Sequence, residues 1–259
     1  DYLGLECPVG EEVKQRIVEN LIARGVSGIA ISPKDPANQL EMLNAAADKV
    51  NLITQDSDAP ESNRLCYIGT NNYEAGRVAG ELIKEVLPAG GPIVLFVGTL
   101  DAQNAQDRKR GIEDVLKGTT VTILGVQTDE TDRMKAIMNV QDTLTAHPEV
   151  ACLVGLWSYN GPAILNGVRD SGKLGQVKIV CFDEEYETLQ GIRDGHIEGT
   201  VVQQPFEFGY QSVKVLAALG RGDRSAIPDS QQLFVPVKAV TKGNVEEFWA
   251  ELKRLTQLG

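Results

Sequence analysis

Histidine is nearly missing from this sequence: 259 residues hold two, His147 and His196, each at a predicted element boundary. That leaves no basis for a histidine-rich metal site or a serine-type triad. Cysteine is sparse too. Cys7, Cys66, Cys152 and Cys181 stand far apart, mostly inside apolar runs, and no two have CxxC spacing. They read as buried, reduced, structural thiols rather than as zinc ligands or a redox pair. No apolar run approaches the roughly 18 residues of a membrane helix. Neither GxxxxGK[ST] nor a GxGxxG after a strand occurs, so no phosphate cradle or nucleotide cofactor is expected. The "AGGP" of Ala89–Pro92 precedes a strand and reads as a turn. A surplus of positive charge is also lacking: 25 basic residues against 36 acidic give a net charge of −11. A surface this acidic disfavours nucleic acid and anionic membranes as partners, and it suits a soluble monomer.

What is present is alternation. Short apolar segments are predicted as strands at Gly28–Ser32, Val50–Thr54, Leu65–Gly69, Ile93–Val97, Val121–Val126, Ala151–Leu156, Val177–Phe182, Gly199–Val202 and Leu233–Val240. Several are apolar on both faces, as parallel strands covered by helices on either side must be. Amphipathic helices lie between them. Over Glu11–Arg24 the apolar Val13, Ile17, Leu21 and Ile22 share one stripe, with Gly25 as a terminating glycine. Tyr73–Val86 repeats the pattern with Ala75, Val78, Ala79, Leu82, Ile83 and Val86, and Pro88 is its stop. The class is α/β with doubly wound parallel sheets. Two Rossmann-like lobes with sheets of four or five strands fit better than one sheet of about nine.

In open α/β sheets, ligands gather at the carboxyl ends of the strands. Here those ends carry Asp56, with Ser57 and Asp58 behind it; a polar loop from Asp101 to Gly111 containing Arg108; Trp157, Ser158, Tyr159 and Asn160; Asp183 and Glu184; and Gln203 and Gln204. Any one of these has a plainer explanation, since an aspartate after a strand often caps a turn and an arginine is often solvated. Asp58, before Ala-Pro, reads as such a turn former. The recurrence of carboxylate and amide at the same place in different βα units favours a site. Carboxylates accept from pairs of hydroxyls, a guanidinium donates a fork, and an indole covers the C–H face of a ring. The set suits a neutral polyhydroxylated ligand, with no metal.

The stretches "IVENLIARGVSGIAISPKDP" (17–36), "DSDAP" (56–60), "YIGTNNYEAGRVAGE" (67–81), "DRKRGIEDVL" (107–116), "IVCFDE" (179–184) and "GTVVQQP" (199–205) resemble, in order, the type I periplasmic sugar-binding proteins of ABC transporters, the ribose-binding family. The resemblance implies two lobes with a hinge of three crossings, near Thr70, Gln204 and Pro236, and ligand in the interlobe cleft. One lobe would be residues 1–70 and 205–236, the other 71–204 and 237–259. It maps the family's sugar contacts onto Asp56, Arg108, Asp183 and Gln203. Where the ribose-type pattern has an arginine after the first aspartate, this chain has Ser57. Where it has an asparagine after the second-lobe strand, this chain has Trp157, with Asn160 nearby. Both departures point away from ribose toward a smaller polyol or another pentose or hexose. "DYLGLECPVG" aligns with the family's second strand, so the first strand and helix are expected to lie outside this sequence.

The function implied is a non-enzymatic, periplasmic or extracytoplasmic carrier that binds a sugar or sugar alcohol and delivers it to a membrane permease. Two other readings stay open. A lactose-repressor-type regulator shares the fold and would carry a DNA-binding headpiece ahead of the first strand. A glycosidase would use Asp56 and Asp183 as paired carboxylates, which need a fixed separation about one bond, whereas these two come from different lobes.

Overall fold

The computed structural model describes residues 11–33 and 35–256; Cys7 lies outside them. In chain order the elements are α1 (Glu11–Ala23), β1 (Gly28–Ile31), α2 (Leu40–Ala47), β2 (Asn51–Gln55), β3 (Tyr67–Gly69), α3 (Asn72–Val86), β4 (Gly91–Val97), α4 (Gln103–Leu116), β5 (Val121–Thr128), α5 (Arg133–Ala146), β6 (Cys152–Gly155), α6 (Asn160–Asp170), β7 (Lys178–Phe182), α7 (Tyr186–Asp194), β8 (Gly199–Val202), α8 (Pro205–Gly220), β9 (Gln232–Phe234), β10 (Lys238–Thr241) and α9 (Val245–Thr256).

They form two compact units. One comprises the chain up to Thr70 with Gln204–Val235, the other Asn71–Gln203 with the chain from Pro236 on. The first holds a parallel sheet in the order β1-β2-β3-β9, the second a sheet in the order β10-β8-β7-β6-β4-β5. In the second, only β10 runs antiparallel, against β8. Among the described residues the sheets thus have four and six strands, against four or five expected for each. The difference arises at Leu233–Val240, which is not one strand. Residues 232–234 pair with β3 in the first unit, and residues 238–241 pair with β8 in the second. Pro236 stands between them. With no N–H and a fixed φ, proline cannot continue a ladder, so the chain leaves one sheet there and enters the other.

Each sheet is apolar on both faces. In the first unit Leu52 packs with Val18, Ile29 and Leu43 beneath α1 and α2, while its neighbour Ile53 packs with Ile68, Phe208, Val215 and Leu219 beneath α8. Alternation along one strand thus serves two cores. In the second unit Leu153 and Ile179 face α5, α6, α7 and α9, and Leu95, Val154 and Val180 face α3 and α4. Helix ends follow their sequence signals. Gly25 closes α1 at φ +76°, a conformation that costs a side-chain-bearing residue more. The Asn71 side chain caps α3 by accepting from the Glu74 N–H at 3.1 Å.

Two contacts fix the parts that carry polar strand ends. In the first unit Arg64, 7% exposed, forks onto Asp58 (Nη2 to Oδ2 2.7 Å) and reaches the Gln231 carbonyl at 3.1 Å. Asp58 also accepts from Thr54 Oγ1 at 2.7 Å and from the Ala59 N–H at 2.7 Å. The turn residue read from the sequence is therefore also the anchor of a largely buried ion pair. In the second unit α3 and α4 touch backbone to backbone. A Cβ on Gly76 would lie 2.1 Å from the Arg108 carbonyl oxygen, and one on Gly111 2.2 Å from that of Tyr73. Gly111→Ala should therefore pry the helices apart and lower stability by about 1–3 kcal/mol in urea unfolding. An unchanged midpoint would mean the helix pair can slide without loss.

Candidate functional site

The polar residues at the strand ends are held by a device that recurs. Asp56 and Asp183 each directly follow a strand, β2 and β7. Each has a positive φ, +62° and +66°. Each donates its N–H to the next strand, Asp56 to the Ile68 carbonyl at 3.0 Å and Asp183 to the Val201 carbonyl at 2.9 Å. Non-glycine residues occupy this region only when their surroundings hold them there. The Tyr67 hydroxyl donates to the Asp56 carbonyl at 2.9 Å, and Thr200 Oγ1 to that of Asp183 at 2.7 Å. The left-handed turn takes both carboxylates off their strands. Asp56 is exposed and its Oδ2 accepts from Ser32 Oγ at 3.0 Å. Ser57 follows, with its N–H on the Gln55 carbonyl at 2.7 Å. Ser32 directly follows β1, so it shares the strand-end location, yet the sequence reading passed over it because β1 was drawn one residue too long.

In the second unit Arg108 of α4 is 2% exposed. Its Nη1 donates to the Leu156 carbonyl at 2.6 Å, its Nε to Asn72 Oδ1 at 3.0 Å, and its guanidinium lies 4.5 Å from the Phe182 ring centroid. Nη1 also stands 3.8 Å from Asp183 Oδ2. The other oxygen of Asp183 accepts from Gln203 Nε2 at 2.9 Å. Arg108, Asp183 and Gln203, from three separate βα units, thus form one connected cluster.

Trp157 lies where the sheet changes direction. From β4 the chain turns toward β5, and from β6 toward β7 on the other side, so β4 and β6 flank the switch point. Trp157, beyond β6, crosses over Gly98, beyond β4: a Cβ on Gly98 would meet Trp157 Cζ3 at 2.2 Å. Its indole N–H donates to Asn104 Oδ1 at 3.2 Å. Asn160 is fully buried, with Oδ1 accepting the Trp157 backbone N–H at 3.0 Å and Nδ2 donating to Asp129 Oδ2 at 3.2 Å. Its amide is therefore engaged at both ends within the unit. The Tyr159 hydroxyl donates to Asp129 Oδ1. Asp129 follows β5 as Asp183 follows β7. The sequence reading missed it by ending the strand at Val126, since the last two residues of β5, Gln127 and Thr128, are polar.

Burial shapes the acid–base character of these groups. It raises the Glu184 carboxyl to about 7, with the adjacent Asp183 charge adding to the effect. It raises the Asp129 carboxyl as well, against the opposing bonds from Tyr159, the Thr131 N–H and Asn160. Cys66, Cys152 and Cys181 are buried free thiols whose ionisation is suppressed chiefly by desolvation. Among the described residues no group of three or more His, Cys, Asp or Glu side chains is placed to hold a metal ion.

The periplasmic binding protein domain matches residues 10–224. The chain belongs to the periplasmic binding protein family. Within it the chain aligns with the type I sugar-binding proteins, a non-enzymatic class. The ribose import binding protein of Salmonella typhimurium is 26% identical over 210 residues, 80% of this chain and 70% of that one. An ABC-transporter solute-binding protein from Burkholderia graminis, solved in complex with D-arabinose, is 32% identical with a TM-score of 0.83, covering 91% of this chain and 82% of that one. A glucose-galactose binding protein from Geobacillus stearothermophilus is 28% identical with a TM-score of 0.83, covering 91% and 84%. Family membership accounts for the pairing of two α/β units, each with polar strand ends.

The raised Glu184 carboxyl has a definite sign. Between pH 4.5, its ordinary value, and about 7 the folded protein keeps a proton that the unfolded chain releases. The side chain therefore destabilises the fold as pH rises through that window. Glu184→Gln should be close to neutral near pH 4 and stabilising by about 2–3 kcal/mol near pH 8, read from urea unfolding at both. An equal effect at the two pH values would assign the difference to packing instead of ionisation.

Proposed function

We propose that this protein is the solute-binding component of an ABC importer, which takes a sugar or sugar alcohol and delivers it to a membrane permease from a periplasmic or extracytoplasmic location. The observation that carries the reading is the Arg108–Asp183–Gln203 cluster, in a chain of this family. A guanidinium that offers donors beside a carboxylate that accepts them matches hydroxyls, which do both. The ligand contacts in this reading are Asp56 and Ser57 from the first unit and Arg108, Trp157, Asp183 and Gln203 from the second. Asn160, with its amide already engaged, supports the Trp157 loop. Hinge movement at the three crossings would enclose the ligand and present the permease with a changed surface. Relatives bind ribose, D-arabinose or glucose and galactose, as their names state. Ser57 and Trp157 favour a neutral polyhydroxylated molecule that presents a C–H face to the indole. The net charge of −11 favours a monomer by self-repulsion. Among the described residues no helix is long and apolar enough to cross a membrane.

Thermal melting against pentoses, hexoses, sugar alcohols and amino acids tests this directly. A ligand present at about 100 times its dissociation constant should stabilise the protein by about 2.7 kcal/mol. One responsive sugar or polyol supports the reading; a well-folded sample that responds to none overturns it. In titration calorimetry Asp183→Ala should then lose about 2–4 kcal/mol of affinity, because ligand hydroxyls are left without an acceptor in a desolvated site. Affinity unchanged within about twofold, less than 0.5 kcal/mol, would put the site elsewhere.

A further inference from the structure

Trp157 is fixed from three directions. Below its ring is the bare Cα of Gly98, with room for no side chain. At its indole N–H is Asn104. Its backbone is tied through Asn160, which accepts the Trp157 N–H at 3.0 Å and donates its own N–H to the Trp157 carbonyl at 3.0 Å. An asparagine amide can face either way, and the two ends have opposite hydrogen-bonding character. The Trp157 N–H is a donor and takes the oxygen end, which leaves the Nδ2 end in need of a buried acceptor. That acceptor is Asp129, 1% exposed, on whose carboxyl oxygens three donors converge. Its Oδ2 takes the Asn160 Nδ2 at 3.2 Å; its Oδ1 takes the Tyr159 hydroxyl and the Thr131 N–H, the latter at 2.9 Å. Tyr159 in turn meets the Trp157 ring edge-on, at 6.4 Å between centroids and 65° between planes. The carboxylate thus reaches Trp157 by two routes, one through the backbone and one through a ring.

We propose that Asp129 is a positioning residue that presets Trp157 for the ligand through Asn160 and Tyr159, without touching the ligand itself. This rests on the reading that Trp157 meets the ligand. A wall fixed before binding loses less freedom when the ligand arrives, so the relay acts on affinity as well as on stability. Burying a carboxylate is unfavourable, and burial does raise its proton affinity here. Three donors converging on it offset that expense. An apolar residue of similar size would avoid the burial penalty and yet leave the buried Asn160 Nδ2 without this acceptor.

The polarity makes the relay testable by exchange. Asp129→Asn turns an amide donor toward the Asn160 donor, and Asn160→Asp places two carboxylates face to face. The double variant D129N/N160D restores every bond in reverse: the new amide donates to the new carboxylate, which still accepts from the Trp157 N–H. The readout is the indole N–H resonance of Trp157 in ligand-free protein, with Trp249 as internal control. Each single variant should displace or broaden the Trp157 signal, and the double variant should return it. Titration with D-ribose and D-arabinose is the second readout. The single variants should weaken whichever sugar the wild type binds by about tenfold, a 1.4 kcal/mol change, and the double variant should recover most of it. If a single variant does not fold, Tyr159→Phe removes one route alone and should move the Trp157 signal by a smaller amount. A Trp157 signal that stays in place while the melting temperature falls, or a folded double variant that recovers nothing, overturns the proposal. If the wild type binds neither sugar, the choice of ligand fails, and the indole signals still decide the role of Asp129.

Discussion

Arg108 is the constraint on which the second unit is organised. A charged guanidinium that is 2% exposed is tolerated only when its donors are met and its charge is balanced. The Leu156 carbonyl and Asn72 meet donors, the face of Phe182 lies under the plane, and Asp183 lies nearby with the balancing charge. Those partners come from the ends of β6 and β7 and from the first turn of α3, so one side chain draws three chain segments to one place. Its own helix can reach them because Gly76 and Gly111 let α3 and α4 meet without intervening side chains. Helix packing and strand-end chemistry are therefore one problem in this unit.

The aspartates show how a parallel sheet presents acceptors. Strands that run the same way end on the same edge, so polar residues placed just past each strand collect there without further instruction. A left-handed turn at Asp56 and at Asp183 lifts the carboxylate off the strand while the residue's own N–H remains in the ladder. Such a conformation is strained for a side-chain-bearing residue. In both units a hydroxyl bonded to the aspartate's carbonyl, from Tyr67 or Thr200, helps to hold it. The same solution in two sheets that share no obvious sequence identity points to a geometric requirement of the strand end.

The acidic groups of the second unit divide by their surroundings. Asp183 is only partly buried and bonds to Gln203 beside Arg108. Glu184, next in sequence, is driven toward neutrality by burial and by the neighbouring charges of Asp183 and Glu185. Asp129 is enclosed but surrounded by donors. Three carboxyls at or next to equivalent strand ends therefore differ in character: one accepts from Gln203 beside Arg108, one is driven toward its protonated form, and one accepts from the side chains of Tyr159 and Asn160.

The sequence by itself determined the α/β class, the two sheets, most of their strands and the residues that fall at strand ends. Those properties follow from local periodicity and from the direction of parallel strands, which any apolar run between amphipathic helices reveals. Asp56, Arg108, Trp157, Asp183 and Gln203 could be singled out in this way, and the order of family-like stretches could be read directly. Only the tertiary structure decided the rest. It split Leu233–Val240 between two sheets, because a strand's partners are not written in its own residues. It carried β5 two polar residues past the apparent end, because an edge strand tolerates polar side chains, and so brought Asp129 to the strand-end edge. It made Asn160 a buried support and Asp58 the anchor of Arg64, since a polar side chain's role depends on which donors reach it. Those donors come from residues far away in the chain, and only folding brings them within 3 Å or so.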